Sequence, residues 1–510
     1  MSRARGRART WGWLALAGGL LGLALCTPAG HLEGWSSPAR AALPDPELAS
    51  VELLVHGAPA DLVELAAEHG LVRRRTLLAL DAALFAAPRS TAAAIARALR
   101  ADPRVRSLSP NHRFEVAGGC CGGHDDHERD TAAGFRAAHQ RLEANFGPLH
   151  RELSGAGVRV AVLDTGFDVT HPDLALREGV SVARSAQGAL LPWERDPAGH
   201  GTAMASLVGA RPLQPARGLE GVAPGVELIG VRVCDDQGAA SLADVAAGIV
   251  AAVDRGAQVV LLSLGARLPA PTLSAAIDYA EQRGVLLVAA AGNANVHQDL
   301  WPAADERVLS VGCVRDDGGL AGGTALAATT DLMAPGVQVA VALPQAASED
   351  GYAFVTGSSA SAAHVAGVAA LALERRPDLS LDALRTLLRR AVRPLPLFSE
   401  HPTLQRAFPA GICDVDALAR TLRGEPLALR LEGARAWPQA ARAGGEVVAQ
   451  VRVVNPGLSA SAPTRLVLSG LGEQALDVPA LAPGAARELS VRVAVPSDFR
   501  GAELSFRLGE

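Results

Sequence analysis

Val158-Arg159-Val160-Ala161-Val162-Leu163-Asp164-Thr165-Gly166 is the stretch from which the fold is read. An apolar run of strand length delivers an acidic residue at its carboxyl end, and a glycine then turns the chain. Comparable apolar runs recur at residues 227–233, 257–264, 285–291 and 308–314. Helical stretches lie between them, at residues 240–255 and 270–283. Near-continuous apolar strands that alternate with helices predict a parallel sheet covered on both faces, an α/β fold. In such sheets the ligand crevice lies outside the carboxyl ends of the strands, where Asp164 stands.

Outward from this core, residues 48–116 read as a separate small α+β unit. Strands are expected at 51–55, 77–80, 82–87 and 105–116, with helices at 59–69 and 91–100. That is the β-α-β-β-α-β plan of ferredoxin-like domains. Residues 117–134 follow as a linker, because Gly118-Gly119-Cys120-Cys121-Gly122-Gly123 holds regular structure poorly. His124-Asp125-Asp126-His127 comes next, but without zinc-ligand spacing. The main domain is placed at 135–422. Residues 425–510 change to short strand-like runs, 447–454, 464–468 and 489–495, between Pro/Gly turns, and predict a small β-sandwich.

At the amino end, Arg3, Arg5, Arg7 and Arg9 precede an apolar run over residues 11–25 and then small residues. The run is shorter than the about 20 residues a bilayer span needs, and the order is that of a signal peptide, taken as 1–29. A secreted protein, extracellular or periplasmic, is the expectation. Leu23-Ala24-Leu25-Cys26 also resembles a lipoprotein box, so a lipid anchor on Cys26 is the alternative and the one route to a membrane. Six cysteines, five after the signal, do not describe a full disulfide framework. The chain has no lysine, and its formal net charge of -5 offers no clustered basic face for nucleic acid.

Two further segments join Asp164. Gly199-His200-Gly201-Thr202 sets a histidine between glycines at the start of a small-residue helix. Gly357-Ser358-Ser359-Ala360-Ser361-Ala362-Ala363-His364 sets a serine at the start of an Ala-rich helix, where free N–H groups favour developing negative charge. Each segment alone fits a blander role: a turn aspartate, a structural histidine, an N-cap serine. Asp, His and Ser in this order, each in its glycine- and small-residue setting, resemble the subtilisin family of serine peptidases, whose triad follows the same chain order.

The resemblance covers roughly residues 140–420. It implies that Ser359 is the nucleophile, His200 the base and then acid, and Asp164 the residue that orients the imidazole. Asn293, in Ala289-Ala290-Ala291-Gly292-Asn293, matches the oxyanion-hole amide. Ser263, Leu264 and Gly265 match the strand that pairs with substrate, and Ala290, Ala291 and Gly292 would face it across the P1 pocket. The resemblance also implies that 48–116 is a self-processed propeptide that inhibits until cut. The partners expected are protein or peptide substrates and the chain's own propeptide. Four departures remove no catalytic group: Ala203 in place of a second histidine, Ser358 in place of threonine, Ala360-Ser361-Ala362-Ala363 after the nucleophile, and Leu261 or Leu262 where an asparagine is frequent.

No cofactor is expected. Asp173 matches a frequent calcium-ligand position, but residues 211–218 bring two arginines and no Asp or Asn, whereas calcium takes six to eight oxygens. A subtilisin-fold module that binds a surface through its β-sandwich has no need of all four catalytic groups. An aspartic peptidase built on Asp164-Thr165-Gly166 lacks the second carboxylate. The glycines of Gly155-Ala156-Gly157 precede the strand, against a dinucleotide-binding reading.

Overall fold

The computed structural model describes residues 50–116, 146–147, 149–185, 188–212, 219–293, 299–325, 327–396, 411–425, 430–437, 445–455, 460–469, 474–482, 485–495 and 505–508. The segments expected to be a signal peptide and a linker, and with them Cys26, Cys120 and Cys121, lie outside the described residues.

A nine-stranded sheet forms the centre. Its strands run in the order Val392–Arg393, Gly411–Cys413, Leu332–Pro335, Leu309–Val314, Leu286–Ala290, Val259–Leu262, Arg159–Asp164, Glu227–Arg232 and Glu178–Ser181. Only the first pair is antiparallel; the others are parallel. Alternate side chains of one strand enter two different cores. Val160 and Val162 join the cluster of the helices His200–Gly209 and Ser358–Arg375. Ala161 and Leu163 join that of the helices Leu242–Asp254 and Pro271–Glu281. Both faces are therefore dry, which is why the strands read as unbroken apolar runs.

From Arg159–Asp164 the chain goes to one side of the sheet, then crosses to Val259–Leu262 on the other. The strand order reverses between these two neighbours, and in open α/β sheets the ligand crevice lies outside the carboxyl ends at such a point. Leu262 lies opposite both Leu163 and Ala289. One residue further along, Asp164, Ser263 and Ala290 stand in a row along that edge.

The amino-terminal unit is a four-stranded antiparallel sheet in the order Val72–Leu77, Ala82–Pro88, Ser50–His56, Ser107–Pro110, with helices Pro59–Glu68 and Ala92–Ala101. Leu53, Val55 and Phe85 pack under its own helices. Leu54, Leu77, Ala82 and Leu84 face the other way, into the cluster of Leu242–Asp254 and Pro271–Glu281. Polar contacts reinforce this docking. Arg75 pairs with Asp244 at 2.8 Å, His56 bonds the Thr272 hydroxyl at 2.8 Å, and Asn111 Oδ1 accepts the Ala243 N–H at 2.9 Å.

Several expected boundaries move. The strand placed at 77–80 lies at Val72–Leu77, and Leu78–Leu80 is a 3-10 turn. The single strand at 105–116 breaks at Asn111-His112 into Ser107–Pro110 and Arg113–Val116, which belong to different sheets. Residues 257–264 likewise divide into Val259–Leu262 and Leu264–Gly265.

At the carboxyl end, Arg430–Trp437, Glu446–Val454 and Ala486–Ala494 form one antiparallel sheet, and Gln474–Val478, Thr464–Ser469 and Ser505–Leu508 another. Val451 and Val453 of the first share a buried cluster with Leu466 and Val478 of the second. Among the described residues no helix is long and apolar enough to cross a membrane.

Candidate active site

Asp164 ends its strand fully buried. Its carbonyl oxygen accepts the N–H groups of Val233 and Cys234, which fixes the strand end. Both carboxylate oxygens face His200 Nδ1, Oδ1 at 2.8 Å and Oδ2 at 3.0 Å, and Oδ1 also accepts the Thr165 N–H.

His200 is the first residue of its helix, after Gly199 at φ +76°. The glycine on its other side is needed for space. A Cβ on Gly201 would stand 2.2 Å from the Gly166 carbonyl oxygen and 3.0 Å from Asp164 Cβ. The His200 side chain is 22% exposed, while the rest of its helix is buried. Burial opposes its protonation, but the charge of Asp164, its hydrogen bond and the charge of Asp196 outweigh burial and hold the pKa above the ordinary 6.5. With Nδ1 turned to the carboxylate, Nε2 is the nitrogen left to exchange a proton with a neighbour.

Ser359 lies in the first turn of Ser358–Arg375, 5% exposed. Gly357 is the N-cap, so Ser358 and Ser359 are helical residues and neither is the capping serine. The Ser358 N–H donates to Asn293 Oδ1 at 2.8 Å. Asn293 Nδ2 lies on the Gly357 side, 2.9 Å from where a Cβ on that residue would be. The amide oxygen is thus anchored on the first residue of the serine helix, with the NH₂ group beside Gly357. The Ser358 hydroxyl accepts the Gly292 N–H at 3.1 Å, and the Ser263 hydroxyl donates to the Ser359 carbonyl oxygen at 3.4 Å. The structure therefore gathers Asp164 with His200, Ser358 with Asn293 and Gly292, and Ser359 with Ser263. Ala290 and Ala291 are buried just before Gly292, the Ala291 N–H bonded to the Val311 carbonyl.

Leu264 and Gly265 form an edge that is already paired. They hydrogen-bond antiparallel with Arg113–Val116, Leu264 opposite Val116 and Gly265 opposite Glu115. On its other side Arg113–Val116 pairs with Ala239–Ser241. The Val116 N–H donates to the Gly238 carbonyl at 3.2 Å. Phe114 is buried in the cluster that includes Ala240, Leu242 and Leu264. The second edge, Ala239–Ser241, was missed in the sequence, where 240–255 reads as one helix. Asp196, which bonds Thr165 and Thr202, was missed as well.

At the position compared with a calcium ligand, Asp173 Oδ2 accepts the Leu219 N–H at 2.8 Å and the Tyr352 hydroxyl at 2.7 Å. Residues 213–218 lie outside the described residues. Among the described residues no group of three or more His, Cys, Asp or Glu is placed to hold a metal.

The model of the subtilase family matches residues 155–413. M-protease of Shouchella clausii (strain KSM-K16) is 38% identical over 240 residues, 47% of this chain and 60% of that protein. Subtilisin Savinase of Lederbergia lenta is 38% identical over 240 residues, 47% of this chain and 85% of that protein. Thermophilic serine proteinase of Bacillus sp. (strain AK1) is 32% identical over 281 residues, 54% of this chain and 65% of that protein. The match thus spans less than two thirds of M-protease and most of Subtilisin Savinase. The α/β domain is of the subtilase type, and the chain belongs to the subtilase family.

Proposed function

We propose that this chain is an exported serine endopeptidase, made as a precursor that cuts itself, with Asp164, His200 and Ser359 as its triad. Ser359 Oγ attacks the scissile carbonyl while His200 takes its proton. Asp164 holds the tautomer and stabilises the imidazolium, and the proton then passes to the leaving amine. The Asn293 NH₂ group and the backbone N–H of Ser359 stabilise the tetrahedral oxyanion, each such donor being worth about 10²–10³ in turnover. Water repeats the sequence on the acyl-enzyme.

The observation that carries the reading is the strand Arg113–Val116, held antiparallel between Leu264–Gly265 and Ala239–Ser241. An extended peptide gains main-chain hydrogen bonds this way, and broad sequence tolerance follows. Residues 50–116 act as the propeptide, and their last strand occupies the substrate groove. Val116 opposes Leu264, the residue after Ser263, whose hydroxyl reaches the Ser359 carbonyl. The cut is expected beyond this strand, in the segment 117–134 that follows Val116.

The test is hydrolysis of a protein substrate and labelling by a fluorophosphonate, wild type beside Ser359→Ala. Hydrolysis and labelling by the wild type alone support the reading. Equal, negligible hydrolysis by both, with no labelling, removes it and favours a surface-binding module.

A further inference from the structure

Asp196 lies in the loop four residues before His200 and is 5% exposed. The triad chemistry does not use it, yet its carboxylate accepts four hydrogen bonds. Oδ1 takes the Thr165 hydroxyl at 2.7 Å and the Gly199 N–H at 2.9 Å. Oδ2 takes the Thr202 N–H at 2.8 Å and the Thr202 hydroxyl at 2.6 Å. Thr165 follows Asp164, and its Oγ1 in turn accepts the N–H of Gly201, the residue after His200, at 2.9 Å. One buried carboxylate thereby ties the strand that carries the aspartate to the turn and first residues of the helix that carries the histidine.

The donor set suits an anion. Each carboxylate oxygen receives one backbone N–H, which can only donate, and one hydroxyl. An amide in this place would set its own NH₂ group against an N–H. Among the described residues no arginine or histidine forms an ion pair with Asp196. A buried carboxylate without a cationic partner is expensive, and such groups concentrate where a site needs them. Burial pushes its pKa up, the bonds from Thr165 and Thr202 pull it down, and the charge of Asp164 adds to the rise.

We infer that Asp196 is a positioning residue for peptide hydrolysis, which locks Asp164 and His200 in register and holds a second negative charge behind the imidazole. This inference rests on the triad reading. Asp164 from the strand and Asp196 from the loop are the charges that bear on His200. Cys234, behind Asp164, stays a neutral thiol because burial lifts its pKa well above the ordinary value. Arg232, fully buried nearby, is turned to Asp236 and to the carbonyls of Cys234, Pro192 and Arg195.

The experiment uses the full chain with Asp196→Asn, Thr202→Ala and Thr202→Ser, matured where needed by a trace of wild-type enzyme whose activity is subtracted. Rates are expressed per active site titrated with a fluorophosphonate. Asp196→Asn is expected to lower kcat roughly tenfold to hundredfold, with KM nearly unchanged, since the loss is one of orientation. The acid limb of kcat/KM shifts to lower pH, because an anion that favours the imidazolium is gone. Thr202→Ala gives a smaller fall in kcat, and Thr202→Ser restores it. A kcat per titrated site and an acid limb equal to wild type, with only the melting temperature lowered, overturn the inference and leave Asp196 a folding residue. A wild type that neither hydrolyses nor labels defeats the triad reading instead.

Discussion

Replacing Gly201 by alanine adds one methyl group next to the candidate histidine and creates a contact that the fold cannot absorb locally. The new Cβ would stand 2.2 Å from the Gly166 carbonyl oxygen, where Cβ atoms do not come closer than 3.0 Å. The obstacle is backbone, so the histidine helix or the Asp164 strand must move by about 0.8 Å. Both are hemmed in. Asp164 is fully buried, the helix is buried beyond His200, and close-packed interiors transmit such a shift instead of dissipating it. The imidazole then leaves its 2.8 Å contact with Asp164. A misplacement of about 1 Å costs roughly 10²-fold in rate, about 2.7 kcal/mol of transition-state stabilisation. The assay is kcat/KM on a peptide substrate, per site titrated with a fluorophosphonate. Gly284→Ala is the control: its φ of +71° strains an alanine, but nothing lies within 4 Å. It is expected to lose about 1 kcal/mol of stability and keep its rate. A Gly201→Ala enzyme with wild-type kcat/KM overturns this expectation, because the close approach would then place nothing that matters.

Three further outcomes follow from the same structure. The kcat/KM of the wild type should fall as pH drops through a pKa above 6.5, because Asp164 and Asp196 hold the imidazolium of His200; an acid limb below 6.5 contradicts this. His364 is buried, its Nδ1 bonded to the Pro335 carbonyl at 2.9 Å, and burial pushes its pKa down to about 4. The unfolded chain takes up this proton near 6.5, so stability is complete above that pH and is lost as pH falls toward about 4, by about 3 kcal/mol. In a Ser359→Ala background, urea unfolding of His364→Leu should lack this part of the slope, and equal slopes count against it. Phe114→Ala removes a side chain whose burial is worth about 1.5–3 kcal/mol. After self-cutting, activity should appear on dilution at a protein concentration roughly ten- to hundredfold higher than in wild type. An unchanged concentration argues that Phe114 does not hold the cut segment.

The sheet was legible because its strands are buried on both faces. Val160 and Val162 serve one core and Ala161 and Leu163 the other, so no polar position interrupts the run. Elements at or next to the sheet's edges were not legible. Glu178–Ser181, Val392–Arg393 and Gly411–Cys413 are short and carry few apolar residues, and their pairing partners are distant in sequence. The break at Asn111-His112 also has no periodic signal, since both halves are extended and only tertiary pairing sends them to different sheets. In the site, Asp164, His200, Ser359 and Asn293 stand out through their glycine- and small-residue settings. Asp196 does not: an aspartate before Pro197 reads as a turn, and its four donors converge only in three dimensions. The edge Ala239–Ser241 is hidden for a similar reason, because its alanines continue the pattern of the helix that follows.

Self-processing by the triad is tested most directly by intact-mass and N-terminal analysis of the purified chain, wild type beside Ser359→Ala. The expected result is a wild-type amino terminus within residues 117–134 and a Ser359→Ala chain in which residues 50–116 stay covalently attached. A wild type that stays joined across residues 117–134, or a Ser359→Ala chain cut there at the same rate, rules out self-cutting by Ser359.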